Sequence, residues 1–154
     1  MFSVTFKNCS GLTGQIPAGL FGNINGNTYS GMFGGTFAGC SGLTGTIPSG
    51  LFGKFTSTPA PGMFQGTFQG CTNLTGIGDG IWDLSGLLWG NNMYNAFDNM
   101  FANCPNITTA SANIAPGDPR RLWDMATLLY NEQPKTYEGS TNLADYDEIP
   151  AQWK

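Results

Sequence analysis

Two phenylalanines four residues apart, followed three residues later by a cysteine, open each of the first three segments of the chain. They are Phe2, Phe6 and Cys9, then Phe33, Phe37 and Cys40, then Phe64, Phe68 and Cys71. Spacings of four and three place such residues on one face of a helix, so the pattern predicts a short helical segment at the start of each unit. Gly34, Gly35 and Gly39 lie inside it and are poor helix formers, so these helices need packing to exist. After the cysteine the period falls to two. In Leu12-Thr13-Gly14-Gln15-Ile16 and Leu43-Thr44-Gly45-Thr46-Ile47 the leucines and isoleucines point inward, while Thr13, Gln15, Thr44 and Thr46 point outward. This predicts a short strand, stopped by Pro17 or Pro48. A second apolar anchor follows (Leu20-Phe21, Leu51-Phe52), and a loop rich in Asn, Gly, Ser, Thr and Pro returns the chain to the next Met.

The four cysteines, Cys9, Cys40, Cys71 and Cys104, are 31, 31 and 33 residues apart. Self-similarity at such a period predicts a solenoid, whose units bury their apolar faces only against their neighbours. The third unit keeps Leu74-Thr75-Gly76-Ile77 but loses the proline, and Trp82, Leu87, Leu88 and Trp89 replace the Leu-Phe anchor. The fourth begins at Ala96, with Ile107 and Thr108 in the strand positions. A degenerate fifth runs from Thr136 to Leu143, with Ser140 in the cysteine position. Before it, Asp118 as N-cap, Pro119 and RRLWDMATLLYN predict a helix with Leu122, Met125 and Leu129 on one face.

The fold class expected is therefore an α/β, leucine-rich-repeat-like solenoid of about five units of 31–36 residues, with one short parallel strand each. Residues 1–112 form the repeat body, in units starting near 1, 32, 63 and 96, and residues 113–154 the C-terminal cap. Met1 falls on the first position of a unit with no polar cap ahead of it. The reading expects further chain upstream, or a neighbouring subunit, to cover that end.

Composition sharpens this picture through charge. Only 10% of the residues are charged, against about 25% in ordinary domains. Residues 1–78 hold Lys7 and Lys54 and no acid, for +2; the remainder holds ten acids and four bases, for −6. A neutral Gly/Thr/Ser/Asn surface suits a secreted or assembled protein. No basic tract favours nucleic acid, and no apolar run is long enough to span a bilayer.

The phrase Phe-x-x-Cys-x-x-Leu-Thr-x-x-Ile-Pro, standing here as FKNCSGLTGQIP and FAGCSGLTGTIP and less fully as FQGCTNLTGIG, FANCPNITTAS and YEGSTNLADYDEIP, resembles the BspA-like leucine-rich repeats of bacterial surface proteins. The resemblance covers most of the chain outside the loops and residues 113–134. It implies an extracellular or cell-surface protein used in adhesion and protein binding.

The chemistry on offer is mostly binding chemistry. With no histidine in the chain the commonest general base is missing, and no Ser-His or Cys-His pair exists. No enzyme activity, cofactor or metal is expected. The cysteines repeat a core-facing position and read as buried thiols rather than ligands or disulfides. Asp79 and Asp83 flank Trp82, an acid-beside-aromatic arrangement met in sugar-binding sites; with Trp89 they make a secondary candidate site. Gly78-Asp79-Gly80 also has a donor for calcium, without a repeated acidic ligand set. Asp145, Asp147 and Glu148 lie in a charged tail where solvation accounts for them. Asn8, Asn73 and Asn106 each begin a glycosylation sequon, recurring because the repeat does. The principal candidate is the outward ladder of Thr13, Thr44, Thr75 and Thr108, with Gln15 and Thr46 beside the first two. Threonine suits an exposed strand position in any case; as a recognition face, the ladder would bind a protein or glycan. The alternative function is a structural subunit of a head-to-tail surface filament or phage fibre, self-associating through the repeat ends.

Overall fold

The four-residue spacing of the phenylalanines is produced by turns. A computed structural model describes residues 1–88, 94–128 and 135–154. In the first copy the amides of Thr5, Lys7 and Cys9 donate to the carbonyls three residues back, those of Phe2, Val4 and Phe6, at 3.3, 3.2 and 3.0 Å. The amides between them leave the copy altogether. Phe2, Val4, Phe6 and Asn8 donate to Met32, Gly34, Thr36 and Ala38 of the next copy at 2.7–2.8 Å. Phe33, Gly35, Phe37 and Gly39 do the same to Met63, Gln65, Thr67 and Gln69; Phe64, Gly66, Phe68 and Gly70 to Ala96, Asp98, Met100 and Ala102; Phe101 and Asn103 to Thr136 and Glu138. An α-helix would send every amide four residues back along its own chain. Here half close four-residue turns and half bond to the neighbouring layer.

This turn column requires a left-handed residue at every fourth position. Gly31, Gly35 and Gly39, then Gly62, Gly66 and Gly70, then Asn95, Asn99 and Asn103 all have φ between 52° and 73°. Glycine takes that conformation without a Cβ penalty, and asparagine is one of the few other residues that visits it.

The expected α/β leucine-rich-repeat-like solenoid, with about five strand-bearing units, is thereby corrected. Among the described residues there is no α-helix, and there are two strands, β1 (Gly45–Ile47) and β2 (Leu74–Ile77), in one parallel sheet. Their register is Gly45 with Leu74, Thr46 with Gly76 and Ile47 with Ile77, shifted between Gly45 and Thr46. The first copy reaches this sheet only through an isolated bridge between Gly14 and Leu43. Gly14 and Gly45 have φ of 88° and 76°, which interrupts the extended backbone that the alternation predicts.

Three aromatic columns run through the core. Phe2, Phe33, Phe64 and Phe97 stack at successive centroid distances of 5.9, 5.3 and 5.7 Å. Phe6, Phe37, Phe68, Phe101 and Tyr137 stack at 5.5, 5.6, 5.7 and 5.5 Å. Phe21, Phe52 and Trp82 form the third, at 5.8 and 6.3 Å. Each fully buried ring contributes on the order of 1.5–3 kcal/mol relative to exposure. Buried threonines add polar stitching: Thr67 Oγ1 donates to Phe33 O at 2.9 Å or Phe64 O at 2.7 Å, and Thr36 repeats this toward Phe2 and Phe33.

Beyond residue 112, Leu122, Trp123, Tyr137, Leu143, Ile149 and Trp153 pack into the core. In place of an α-helix from Pro119 there is a 3-10 helix, Leu122–Leu128. Asp118 is engaged by Arg120, through its amide at 2.9 Å and its guanidinium at 2.7 Å. Asp124 takes the Arg121 amide at 2.7 Å, so the helix begins later than Asp118. Leu129, on the expected apolar face, lies outside the described residues. The buried Asp145 carboxylate accepts from the Ser111 amide at 2.9 Å and its hydroxyl at 2.8 Å, with Arg121 at 3.6 Å. No helix among the described residues is long and apolar enough to cross a membrane.

Candidate functional site

Thr13, Gln15, Thr44, Thr46, Thr75 and Thr108 are all exposed. The threonine ladder is held by backbone bonds from layer to layer. The Thr44 amide donates to Gly14 O at 2.9 Å, and the Thr108 amide to Thr75 O at 3.1 Å. Thr46 sits in β1 opposite Gly76, and the Gln15 side chain lies over Gly45. In the next layer Thr109 follows, its hydroxyl accepting the Ile77 amide at 2.7 Å. The six residues therefore lie along one uncharged edge that backbone hydrogen bonds tie from layer to layer. At its first-layer end this edge borders an apolar cleft of about 350 Å³, lined by Phe6, Leu12, Ile16 and Leu20.

The secondary candidates are dispersed. Trp82 is 1% exposed; it packs on Phe64 and donates its indole N–H to Asn113 O at 2.8 Å. Asp79 accepts from the Asn113 side chain and from the Gly117 amide, the latter at 3.1 Å, and so anchors the segment that follows the fourth layer. Asp83 pairs with Lys54 at 3.1 Å and accepts from the Ser85 hydroxyl at 2.6 Å. Burial pushes the Asp83 carboxyl up, but the Ser85 and Lys54 contacts outweigh it and hold the group below its ordinary value. Trp89 lies outside the described residues. Among the described residues no three acids, cysteines or histidines converge as a metal would need.

The cysteines are free. The thiols of Cys40, Cys71 and Cys104 donate to the carbonyls of Phe6, Phe37 and Phe68, one layer back, at 2.9, 3.0 and 3.1 Å. Burial raises all three, Cys104 to about 12. These are protonated donors, poor as nucleophiles or ligands. The sequon asparagines Asn73 and Asn106 are likewise used between layers, donating to Ser41 O and Thr72 O at 2.8 Å each.

Periodicity reading missed a groove across the turn column. About 300 Å³ in volume, it is floored by glycines such as Gly35 and Gly66 and edged by Lys7, Gln65, Gln69 and Asn99. Its signal in the sequence was the Gly or Asn at every fourth residue. In comparisons with known proteins, no family model, no curated protein and no solved structure matches the chain.

Proposed function

We propose that the chain is a non-catalytic recognition or adhesion module, working outside the cell or at its surface, that binds a protein or glycan along the edge carrying Thr13, Gln15, Thr44, Thr46, Thr75 and Thr108. One observation carries the reading: a single repeat position is threonine in four successive layers, and each of the four is exposed. A row of hydroxyls on a rigid backbone offers donors and acceptors at a fixed interval, with little ordering left to do on binding. It carries no charge, so it selects partners of the same kind, such as sugar hydroxyls or peptide groups, and its binding is insensitive to salt. The resemblance to BspA-like surface repeats points to the same class of role.

The test is binding of the purified chain to an array of immobilised oligosaccharides and to a panel of purified extracellular proteins. The wild type is expected to retain at least one ligand in high salt. Thr44→Glu with Thr75→Glu is expected to weaken that ligand more than tenfold while the circular dichroism spectrum stays unchanged. Equal binding by wild type and double variant would remove the threonine edge from the account.

A further inference from the structure

The turn column has a direction. In the first three layers its outgoing amides donate to the carbonyls of the next layer toward the C-terminus, and Phe101 and Asn103 of the fourth do the same. The first layer therefore keeps a row of carbonyls, those of Met1, Ser3, Thr5 and Lys7, with no partner among the described residues. Their counterparts Met32, Gly34, Thr36 and Ala38 all accept. The Thr5 hydroxyl and Cys9 thiol also have no partner among the described residues, whereas Thr36 and Cys40 donate to the layer before them. Beside this row Met1 is 83% exposed, Val4 53% and Leu20 45%, and the half-buried Phe6 ring ends its aromatic column. Unpaired backbone edges next to apolar side chains are templates for another segment.

The last layer has the complementary half. Lys135 and Tyr137 hold the positions of Val4 and Phe6, so their amides point outward. They donate to the carbonyls of Gln152 and Trp153 at 3.1 and 2.9 Å. These two residues belong to the 3-10 turn Ala151–Trp153, which thus supplies two of the carbonyls that a further layer would. The imitation is partial. The Gly139 amide, whose counterparts Asn8, Gly39, Gly70 and Asn103 all donate onward, has no acceptor among the described residues. The Trp153 indole N–H is buried without a partner among the described residues.

We infer that the C-terminal turn Ala151–Trp153 is a stop on head-to-tail association of this chain, covering a last layer that otherwise fits the open first layer of a second copy. The polarity is right: outgoing amides at one end, unpartnered carbonyls at the other, in the same register that joins every pair of internal layers. Phe6 of the second copy would take its place on Tyr137 as Phe101 does, and a contact between unlike ends propagates without closing. The inference is independent of the ligand taken by the threonine edge.

Light scattering across a concentration series tests it, using Trp153→Asp to loosen the turn and Phe6→Asp to spoil the receiving layer. Wild type is expected to stay monomeric, Trp153→Asp to form oligomers that grow with concentration, and the double variant to be monomeric again. Wild type mixed with the double variant should give a one-to-one dimer, since one offers only an open first layer and the other only an open last layer. Should Trp153→Asp disturb the last layer, deletion of residues 151–154 is the second variant; a synthetic peptide of residues 146–154 should dissolve its oligomers. A folded Trp153→Asp variant or truncated chain that remains monomeric overturns the inference. So does a wild type that polymerises, or an aggregate that Phe6→Asp does not prevent.

Discussion

Ser140 donates its hydroxyl to the carbonyl of Phe101 at 2.6 Å, the same bond that Cys104 makes to Phe68 one layer earlier at 3.1 Å. Serine thus replaces cysteine without loss of the interlayer hydrogen bond, and the position selects a small donor rather than a sulfur.

Substitutions at Cys71 should separate those two properties. Cys71→Ser keeps the bond to Phe37 and is expected to cost about 1 kcal/mol or less in urea unfolding. Cys71→Ala loses the donor and leaves a small void, and should cost about 1–3 kcal/mol. Equal losses would show that the bond contributes nothing.

Thiol labelling with an aromatic disulfide at pH 8 should modify Cys9 alone in the folded chain, because Cys9 is exposed while Cys40, Cys71 and Cys104 are buried. Rapid modification of a second cysteine would contradict the layered core. The same burial predicts an alkaline limit to stability. Cys71 and Cys104 are raised in the fold, Cys104 to about 12, as is the buried Tyr137. A raised acid stabilises the fold fully below its unfolded value, about 8.5 for a thiol, and that stabilisation is lost as pH climbs toward the folded value. The melting temperature should therefore fall from about pH 8.5 upward, and less steeply in Cys104→Ser.

Glycines of the turn column should differ in a way their dihedrals alone do not explain. Gly39 and Gly70 have φ of 73° and 72°. A Cβ on Gly70 would meet nothing nearer than Gly39 Cα at 3.8 Å, but one on Gly39 would strike the Asn8 side chain. Gly70→Ala is expected to cost about 1–2 kcal/mol, the left-handed penalty alone. Gly39→Ala should cost more, and Asn8→Gly in the same chain should restore the difference.

Val4 occupies the left-handed position of the first layer with φ of 49°, which a β-branched residue adopts only under strain. Its counterpart in the fourth layer is Asn99. Val4→Asn should raise stability by about 1 kcal/mol, seen as a higher urea midpoint with unchanged slope. A lower midpoint would mean that the valine side chain contributes more to the fold than its strain costs.

The core positions were legible in part, since Phe33, Phe37 and Cys40, and Phe64, Phe68 and Cys71, recur in phase and are buried, while Phe2 and Phe6 in the first copy are half-buried and Cys9 is exposed. The outward threonines were legible for the same reason. The local backbone was not. A spacing of four describes one face of a helix and also a chain of four-residue turns, and the aromatic residues alone do not distinguish them. Gly31, Gly35 and Gly39, repeated as Asn95, Asn99 and Asn103, do: a helix has no use for glycine at every fourth position, whereas a left-handed turn residue has few alternatives. The dispersal of Asp79, Trp82 and Asp83 was hidden because their partners, Asn113 and Lys54, lie about thirty residues away in sequence, in neighbouring layers.

The one-way bonding of the turn column also gives that column an electrical axis. Peptide groups carry a dipole of about 3.5 D each, and here the outgoing ones point alike, as they do along a helix. Their negative ends emerge at the carbonyls of the first layer, next to Lys7, and their positive ends point toward the region that holds all ten carboxylates. Lys7 beside the first-layer carbonyls, and the excess of acids over bases from Asp79 onward, have the signs that oppose that field. The sign of the charge along the chain thus matches the direction in which the turn column bonds.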